Sequence, residues 1–302
     1  MAQTIDAPSL AAALVRAARL RQWLKNVLVL AAPAAAGVIF HGDVIWRVAV
    51  AFVAFCITAS GLYLLNDVAD IDVDRLHPRK QHRPIAAGTI QLSTARVVGV
   101  ACVVIGVLVS GVTGRWWLVG VVAGYVALTL SYSWWLKHGA VVDLMAVALG
   151  FVLRSFAGAA AAHVRLSNWF VIFTSFGSLF VVAGKRLAEL NELAEIGQDA
   201  GSVRATLETY RPAYLRMLIG VALSVTTVSY CVWAFERAAL HTSHLHWFEL
   251  SIIPMVAALF RYALLLDNGK GSAPEDLFAT DRTLQALGLV WLALFALGVR
   301  VG

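Results

Sequence analysis

The sequence predicts an all-α membrane protein with about nine transmembrane helices. Of its 302 residues, 60% are hydrophobic and 14% are charged, and the mean hydropathy is +0.77, whereas roughly a quarter of the residues in a typical soluble domain are charged. Apolar runs also repeatedly exceed the roughly 18 residues that distinguish a membrane-spanning helix from a buried helix of a soluble protein. A large soluble helical protein is therefore a poor explanation of this composition.

Nine apolar segments carry this prediction, in windows of about 20 residues. They lie near 24–41, 45–65, 92–112, 116–135, 140–161, 168–185, 212–235, 247–266 and 283–300. No low-complexity tract or flexible linker separates them, so we expect one multi-pass domain over residues 1–302. An odd number of spans places the two termini on opposite sides of the membrane.

The distribution of Lys and Arg predicts the orientation. One set of alternate connections, with the C-terminus, holds only Arg47, Arg115, Arg165, Arg237 and Arg300. Nearly all other cations lie on the opposite side, which the positive-inside rule assigns to the cytoplasm. We therefore expect an inner (plasma) membrane protein with a cytoplasmic N-terminus, an external C-terminus and a cytoplasmic active site. Topology also explains the net charge of +6, and no basic tract interleaved with aromatic residues indicates a nucleic-acid partner.

Two of the expected cytoplasmic connections are long. About 26 residues follow the second helix and about 26 follow the sixth, which is more than a helical hairpin requires. Because long loops commonly carry function, we expect active-site loops after helices two and six.

The most informative feature is an acidic row where the second span ends, Asn66-Asp67-Val68-Ala69-Asp70-Ile71-Asp72-Val73-Asp74-Arg75. If the helix continues, Asn66, Asp70 and Asp74 share one face. Like charges at this spacing repel, and a hard divalent cation bound through oxygen compensates them. Because Mg2+ typically binds one or two carboxylates plus substrate phosphates, the row predicts a metal–diphosphate site. A solvated acidic loop balanced by nearby arginines is the alternative.

Cations follow the acidic row directly. Arg79 or Arg83 can bind phosphate oxygens bidentately and hold a diphosphate that the carboxylates alone would repel. The same residues could instead serve topology or bind anionic lipid head groups.

Other polar residues near the ends of the spans are candidates for substrate binding. They are Arg21, Lys25 and Asn26 at the first span, Tyr132 and Lys137 at the fourth, and Lys185, Arg186 and Glu189 after the sixth. Interfacial anchoring is an alternative for the first two groups, and a local i,i+4 salt bridge is the alternative for Lys185 with Glu189. Arg154 lies several turns inside the fifth segment, where a charge is costly, so we expect it to pair with a carboxylate or a phosphate.

The sequence resembles the UbiA superfamily of intramembrane transferases through Asn66-Asp67-x-x-Asp70-x-x-x-Asp74 and through the nine-helix plan with long loops after helices two and six. The resemblance spans nearly the whole chain. Ordinary prenyltransferases of that superfamily carry a second aspartate-rich motif after helix six, where this chain has Lys185-Arg186-x-x-Glu189. The difference favours a donor with an additional anionic group over a plain prenyl diphosphate.

A closer resemblance is to the branch of this superfamily that transfers a phosphoribosyl group. It rests on the segments 21–33, 83–88, 176–186, 233–237 and 274–276. It implies transfer of the 5-phosphoribosyl group from 5-phosphoribosyl 1-diphosphate to polyprenyl (decaprenyl) phosphate, with release of diphosphate, for the synthesis of cell-wall arabinan (arabinogalactan). The expected surroundings are membrane lipids, and a homo-oligomer is compatible with this interpretation.

The resemblance also implies roles for the site residues. Mg2+ is expected on Asn66, Asp70 and Asp74, with Asp67 as a further ligand or as a support for the others. The expected catalytic residues are Asp67, Asp70, Asp74 and Lys185. The expected substrate-binding residues are Arg21, Lys25, Asn26, Arg79, Arg83, Tyr132, Lys137, Arg154, Arg186 and Glu189.

Two other functions remain open at this point. A UbiA-type prenyltransferase would move a prenyl chain from its diphosphate to an aromatic or quinone acceptor, with Glu189 in place of an aspartate of the second motif. A transporter or lipid-binding membrane protein would explain the spans and Arg154 but would leave the acidic row unexplained. Lys185 and Arg186 favour the phosphoribosyl donor, because they suit an extra phosphate better than an apolar chain.

Overall fold

The computed structural model of the chain describes residues 9–76, 80–195, 197, 205–240, 245–271 and 274–301. These residues form helices and their connections, and this part of the chain contains no β-strand. The α-helices are α1 (Leu10–Ala17), α2 (Ala31–Ala35), α3 (Gly42–Ala69), α4 (Ile71–Leu76), α5 (Leu92–Gly111), α6 (Trp116–Trp134), α7 (Val142–Ala162), α8 (Asn168–Glu195), α9 (Ala205–Thr209), α10 (Pro212–Ala239), α11 (Trp247–Leu250), α12 (Ile252–Asp267), α13 (Pro274–Thr280) and α14 (Arg282–Val301). Further 3-10 helices occupy Leu20–Leu30, Lys80–His82 and Leu136–His138.

Within the described ranges, 8 helical segments are long and apolar enough to cross a membrane. They are α3, α5, α6, α7, α8, α10, the consecutive α11 and α12, and α14, and they match the second to ninth predicted spans. Helices α3, α8 and α10 continue several residues beyond their predicted ends, because polar residues extend them past the apolar run. The prediction of an all-α membrane bundle with about nine helices is thereby confirmed.

The first predicted span, near 24–41, differs from an ordinary transmembrane helix. It is a 3-10 helix over Leu20–Leu30 that continues into the short α2. Pro33 lacks an N–H, and its ring would clash with the carbonyl of Val29 four residues earlier, so a regular α-helix is unfavourable there. The Val29 carbonyl lies against Gly158 of α7, where a Cβ would overlap it. The proline thus disfavours an α-helical hydrogen bond at the place where two backbones approach closely.

Helices α3 and α7 form the interior of the bundle. Helix α3 packs along α5, α7 packs against both α6 and α8, and α8 packs along α10. A Cβ at Gly61 of α3 or Gly106 of α5 would overlap atoms of the facing helix, as expected where helices in lipid associate through close packing of small residues. The outer faces of α5 and α6 expose large apolar side chains such as Leu108 and Trp116, which suits contact with lipid.

Apolar clusters hold neighbouring helices of the bundle together. One contains Phe55, Leu118 and Ala157 and joins α3, α6 and α7. The other contains Phe180 and Leu215 and joins α8 to α10. This packing brings the end of α3, the connection from α6 to α7 and the last turns of α8 to one end of the bundle. We call it the polar end, and its defining residues are Asp67, Asp70, Lys137, Asp143 and Arg186.

Candidate active site

The acidic row occupies the join between α3 and α4. Helix α3 ends at Ala69, and Asp70 leaves the helical region with φ −97° and ψ 12°. The helical hydrogen bonds nevertheless continue across the join, from Asp70 N–H to the Asn66 carbonyl at 2.9 Å and from Asp74 N–H to the Asp70 carbonyl at 2.8 Å. The Asn66 amide also donates to Asp70 Oδ2 at 3.0 Å. The i, i+4 spacing is therefore preserved along the backbone, and the side chains of Asn66 and Asp70 are in contact, whereas the buried Asp74 side chain pairs with Arg83.

Two carboxylates of the row are buried and share one guanidinium. Asp67 and Asp74 are each 2% exposed, and Arg83 Nη1 lies 3.1 Å from Asp67 Oδ1 and 2.6 Å from Asp74 Oδ2. Arg19 forms a second ion pair with Asp67, and its guanidinium lies 5.0 Å from the centre of the Tyr63 ring. Buried carboxylates require such partners to remain charged. Arg83 thus lies at the acidic row, where it pairs with carboxylates as the alternative of a row balanced by nearby arginines describes, and its predicted contact with a diphosphate stays a prediction. Sequence reasoning missed Arg19.

Arg19 has an unusual backbone as well as an unusual partner. Its φ of 53° and ψ of 55° lie in the left-handed region, which non-glycine residues rarely adopt. This conformation lets the chain turn between the end of α1 and the 3-10 helix that begins at Leu20. No pattern in the sequence marks a left-handed arginine, and Arg19 was counted only among the cations that set the topology.

The exposed member of the row meets the end of α6. Lys137 Nζ lies 2.8 Å from Asp70 Oδ1, and the Ser133 hydroxyl donates to Asn66 Oδ1 at 2.8 Å. The side chains of Lys137 and Asp70 are both about one quarter exposed. The structure therefore brings together the predicted Lys137, Asn66 and Asp70 at an accessible edge of the row.

A second group of charges lies on α8 and the start of α7. Arg186 is buried, and its Nε donates to Asp143 Oδ2 at 3.2 Å while its Nη1 donates to Glu189 Oε2 at 2.9 Å. Its Nη2 is 3.5 Å from the Tyr132 hydroxyl. The predicted pair of Lys185 and Glu189 is present at 3.9 Å, with the Lys185 side chain 39% exposed. Lys185 is thus the accessible cation of this group.

Asp143 was missing from the predicted site. It is fully buried at the first turn of α7, where the helix dipole favours a negative charge. The signal in the sequence was a single carboxylate at the start of the fifth apolar segment, where an ionisable residue indicates function or a buried partner. The partner, Arg186, is 43 residues away in sequence, which spacing alone does not reveal.

Arg154 and Asn26 meet away from the acidic row. Arg154 is buried and donates to Asn26 Oδ1 at 2.8 Å, to the Gly150 carbonyl at 2.6 Å and to the Tyr125 hydroxyl at 2.8 Å. These acceptors are neutral oxygens, in place of the carboxylate or phosphate expected from the sequence. Arg154 is three helical turns beyond Asp143, about 16 Å along α7. The pair joins the first segment to α7 across the bundle interior.

Three predicted binding residues have a less defined place. Arg21 is exposed and Lys25 is half-buried on the 3-10 helix Leu20–Leu30. Arg79 lies outside the described residues. Arg75 of α4, which was not a predicted binding residue, donates through Nε to the Ala86 carbonyl at 3.3 Å.

The oxygen donors at the polar end fit a cation that arrives with its phosphates. Among the described residues, no three His, Cys, Asp or Glu side chains come close enough to hold an ion by themselves. Mg2+ rarely uses such a closed site and takes one or two carboxylates together with substrate oxygens. Asp70 is partly exposed, is adjacent to the Asn66 amide and has Lys137 beside it. At this edge, Asn66 and Asp70 are the residues that could hold a metal, and Lys137 is the cation beside them.

A membrane bundle with carboxylates and facing cations at one end has the features required of an intramembrane transferase that handles a diphosphate. The chain belongs to the UbiA prenyltransferase family, whose pattern matches residues 26–296. It is similar to the decaprenyl-phosphate phosphoribosyltransferase of Mycobacterium tuberculosis, with 43% identity over 302 aligned residues that cover 97% of this chain and 96% of that protein. The resemblance to the superfamily and to its phosphoribosyl-transferring branch is thereby confirmed.

Further comparisons agree with this assignment. The decaprenyl-phosphate phosphoribosyltransferase of Corynebacterium glutamicum is 40% identical over 296 residues, which cover 97% of this chain and 88% of that protein. Among solved structures, a UbiA homolog from Archaeoglobus fulgidus bound to GPP and Mg2+ has a TM-score of 0.70 and 16% identity, with 96% of this chain and 99% of that chain covered. The structural similarity establishes the fold.

Proposed function

We propose that this protein transfers the 5-phosphoribosyl group of 5-phosphoribosyl 1-diphosphate to polyprenyl phosphate, with decaprenyl phosphate as the acceptor, and releases diphosphate. The names of the relatives at 40–43% identity support the acceptor and the group transferred. The observation that carries the proposal is the presence of two cation groups at one end of the bundle. One contains Arg83 and Lys137 beside the acidic row, and the other contains Lys185 and Arg186 on α8.

Two cation groups suit this donor because it has phosphates at two positions. We assign Lys137 and Arg83 to the diphosphate, since both already contact the acidic row. We assign Lys185 and Arg186 to the 5-phosphate of the donor. A plain prenyl diphosphate would bring no second phosphate to exchange for the carboxylate partners of this group.

The acidic row is the proposed Mg2+ site. Asn66 and Asp70 are the proposed ligands at the exposed edge. Asp74 and Asp67 are the other candidates, and each would have to exchange a contact with Arg83 to reach the cation. When bound, Mg2+ neutralises the diphosphate and stabilises its departure from C1 of the ribose.

The acceptor phosphate needs positioning more than activation. It is already an anion at neutral pH, so no general base has to remove a proton before it attacks. An acceptor oxygen forms a bond to C1 while the bond from C1 to the diphosphate oxygen breaks, and attack opposite the leaving group inverts C1. Lys185, the accessible cation of the second group, would contribute to catalysis by holding the 5-phosphate and so fixing C1 in line for the attack.

We further propose that the polar end faces the cytoplasm of an inner (plasma) membrane, with the N-terminus inside and the C-terminus outside. The distribution of Lys and Arg supports this orientation. The polyprenyl chain would lie along the apolar, lipid-exposed helices. The product would supply cell-wall arabinan synthesis, and membrane lipids would surround the enzyme, as a monomer or as a homo-oligomer.

The test is transfer of radiolabel from phosphoribosyl diphosphate to a lipid-soluble product, with purified protein, decaprenyl phosphate and either Mg2+ or chelator. We expect label in the lipid with Mg2+ and none with chelator. Asp70→Asn should lower transfer at limiting Mg2+ by at least about tenfold. Asp43→Asn is the matched control, because Asp43 is an exposed carboxylate at the other end of α3. Transfer from a prenyl diphosphate to an aromatic acceptor, with no phosphoribosyl transfer, would make the protein a prenyltransferase.

A further inference from the structure

A turn at the polar end has a strained backbone. It lies at Val141, between Lys137 and α7, where φ is +68° and ψ is −45°. A positive φ is rare for a β-branched residue because the side chain collides with its own backbone. Such a conformation persists only where surrounding contacts hold it, and strained positions of this kind cluster at functional sites.

The contact that holds the turn is the hydroxyl of Tyr210, which lies just before α10. It accepts a hydrogen bond from the Val141 N–H at 2.6 Å and donates one to Asp143 Oδ1 at 2.5 Å. The Tyr210 side chain is buried, and its burial, with the hydrogen bond to Asp143, raises the pKa of the phenol. The hydroxyl therefore keeps its proton at neutral pH and can be acceptor and donor at once.

Asp143 connects this hydroxyl to Arg186. Its Oδ2 accepts hydrogen bonds from Arg186 Nε at 3.2 Å and from Thr206 Oγ1 at 3.3 Å. Because the Asp143 carboxylate is fully buried, the loss of one donor leaves an acceptor poorly satisfied and displaces the remaining partners. On the other side of the turn, Lys137 lies four residues before Val141, and its ammonium contacts the acidic row.

We propose that Tyr210 is a positioning residue for donor binding, which fixes Lys137 through the Val141 turn and Arg186 through Asp143. The inference rests on the proposed phosphoribosyl transfer, since both cations are assigned there to phosphates of the donor. Tyr210 acts without touching the substrate, because its hydroxyl is engaged by Val141 and Asp143. Removal of the hydroxyl frees the turn to relax and moves both cations from the positions that the phosphates require.

The first test compares Tyr210→Phe with Tyr214→Phe in the full-length protein. Tyr214 is a matched control because its ring stacks on that of Tyr210 with centroids 6.2 Å apart and the same atom is removed. We expect Tyr210→Phe to raise the KM for phosphoribosyl diphosphate about tenfold, with kcat and the KM for decaprenyl phosphate within about twofold. Tyr214→Phe should leave all three values unchanged. A donor KM in Tyr210→Phe equal to that of the unmodified protein overturns the inference.

A second variant distinguishes positioning from a general loss of stability. Glycine adopts a positive φ without strain, so Val141→Gly in the Tyr210→Phe background should recover about threefold or more of the lost donor affinity. The donor KM is measured well below the unfolding midpoint of every variant, where a change in stability alone leaves the KM unaltered, and the absence of rescue there contradicts the role of the turn. Deuterium exchange of the amides over residues 136–143 should be faster in Tyr210→Phe than in Tyr214→Phe, and equal exchange also contradicts it.

The unmodified protein, assayed in parallel, separates the two ways in which this reasoning can fail. If it transfers no phosphoribosyl group, the proposed function is wrong, and the inference fails with it. If it transfers the group and Tyr210→Phe has the same donor KM, only the inference is wrong.

Discussion

Replacement of Arg83 by alanine removes a cation that serves two buried carboxylates. Arg83 Nη1 lies 3.1 Å from Asp67 and 2.6 Å from Asp74. Arg19 still contacts Asp67 after the change, so the loss of the Arg83 ion pair destabilises the Asp74 carboxylate more than that of Asp67. Removal of one partner of a buried ion pair costs about 3–5 kcal/mol. Because the Arg83 side chain is itself 27% exposed, we expect the lower end, about 3 kcal/mol of unfolding free energy.

The matched control is Arg75→Ala, which removes a neighbouring arginine that donates to a backbone carbonyl. In detergent, we expect Arg83→Ala to lower the midpoint of thermal unfolding by roughly 6 °C or more, and Arg75→Ala to lower it by less than about 2 °C. Phosphoribosyl transfer should fall with Arg83→Ala even well below its melting temperature, because the same guanidinium is assigned to the diphosphate. Equal midpoints for the two variants would refute the reasoning, since the buried carboxylates would then be stable without Arg83.

Three further predictions test the fold, the pH dependence and the second charge group. Gly158→Ala should push α7 away from the first segment and cost about 2 kcal/mol or more of stability, whereas Gly120→Ala, whose added methyl meets open space, should leave the melting midpoint nearly unchanged. The hydrogen bond from Arg261 lowers the pKa of Asp281. The charged carboxylate therefore contributes its full stabilisation above the ordinary carboxylate pKa, and this contribution is lost as the pH falls through the lowered pKa. In Asp281→Asn, the melting midpoint should no longer show this fall in acid. Glu189→Gln should lower the KM for phosphoribosyl diphosphate, because it removes a carboxylate that competes with phosphate for the neighbouring guanidinium; a higher KM with weaker Mg2+ binding in calorimetry would make Glu189 a metal ligand instead.

Hydropathy predicted most of the fold because lipid imposes a length and an apolar composition on each spanning helix. The first span shows where that reasoning stops. Its apolar residues predicted a helix near 24–41, but the chain forms a 3-10 helix over Leu20–Leu30 and a short α-helix at Pro33, and its Val29 carbonyl meets Gly158, which is 125 residues later in the chain than Pro33. Composition gives the existence of a span, whereas its internal geometry depends on distant packing.

The candidate site divides in the same way. Asn66, Asp70 and Lys137 could be predicted because helical spacing and the end of a span are local properties, and the structure places them within hydrogen-bonding distance of one another. Asp143 and Tyr210 could not, because their roles arise from contacts between residues 67 positions apart. Arg19 was missed for a third reason, since a left-handed backbone conformation has no signature in an arginine-rich segment.

In the described part of the structure, the named carboxylates and cations of the polar end are already paired with one another, and this constrains how the proposed donor would enter. At the acidic row, the carboxylates of Asp67, Asp70 and Asp74 face the cations of Arg19, Arg83 and Lys137. On α8, Lys185 and Arg186 face Glu189 and Asp143. A donor that brings Mg2+ together with its diphosphate can exchange partners with the first group, since the carboxylates pass to the metal and the cations pass to the phosphate. The 5-phosphate brings no metal with it, so we expect its binding to displace Glu189, the partly exposed carboxylate of the second group, while buried Asp143 stays on Arg186.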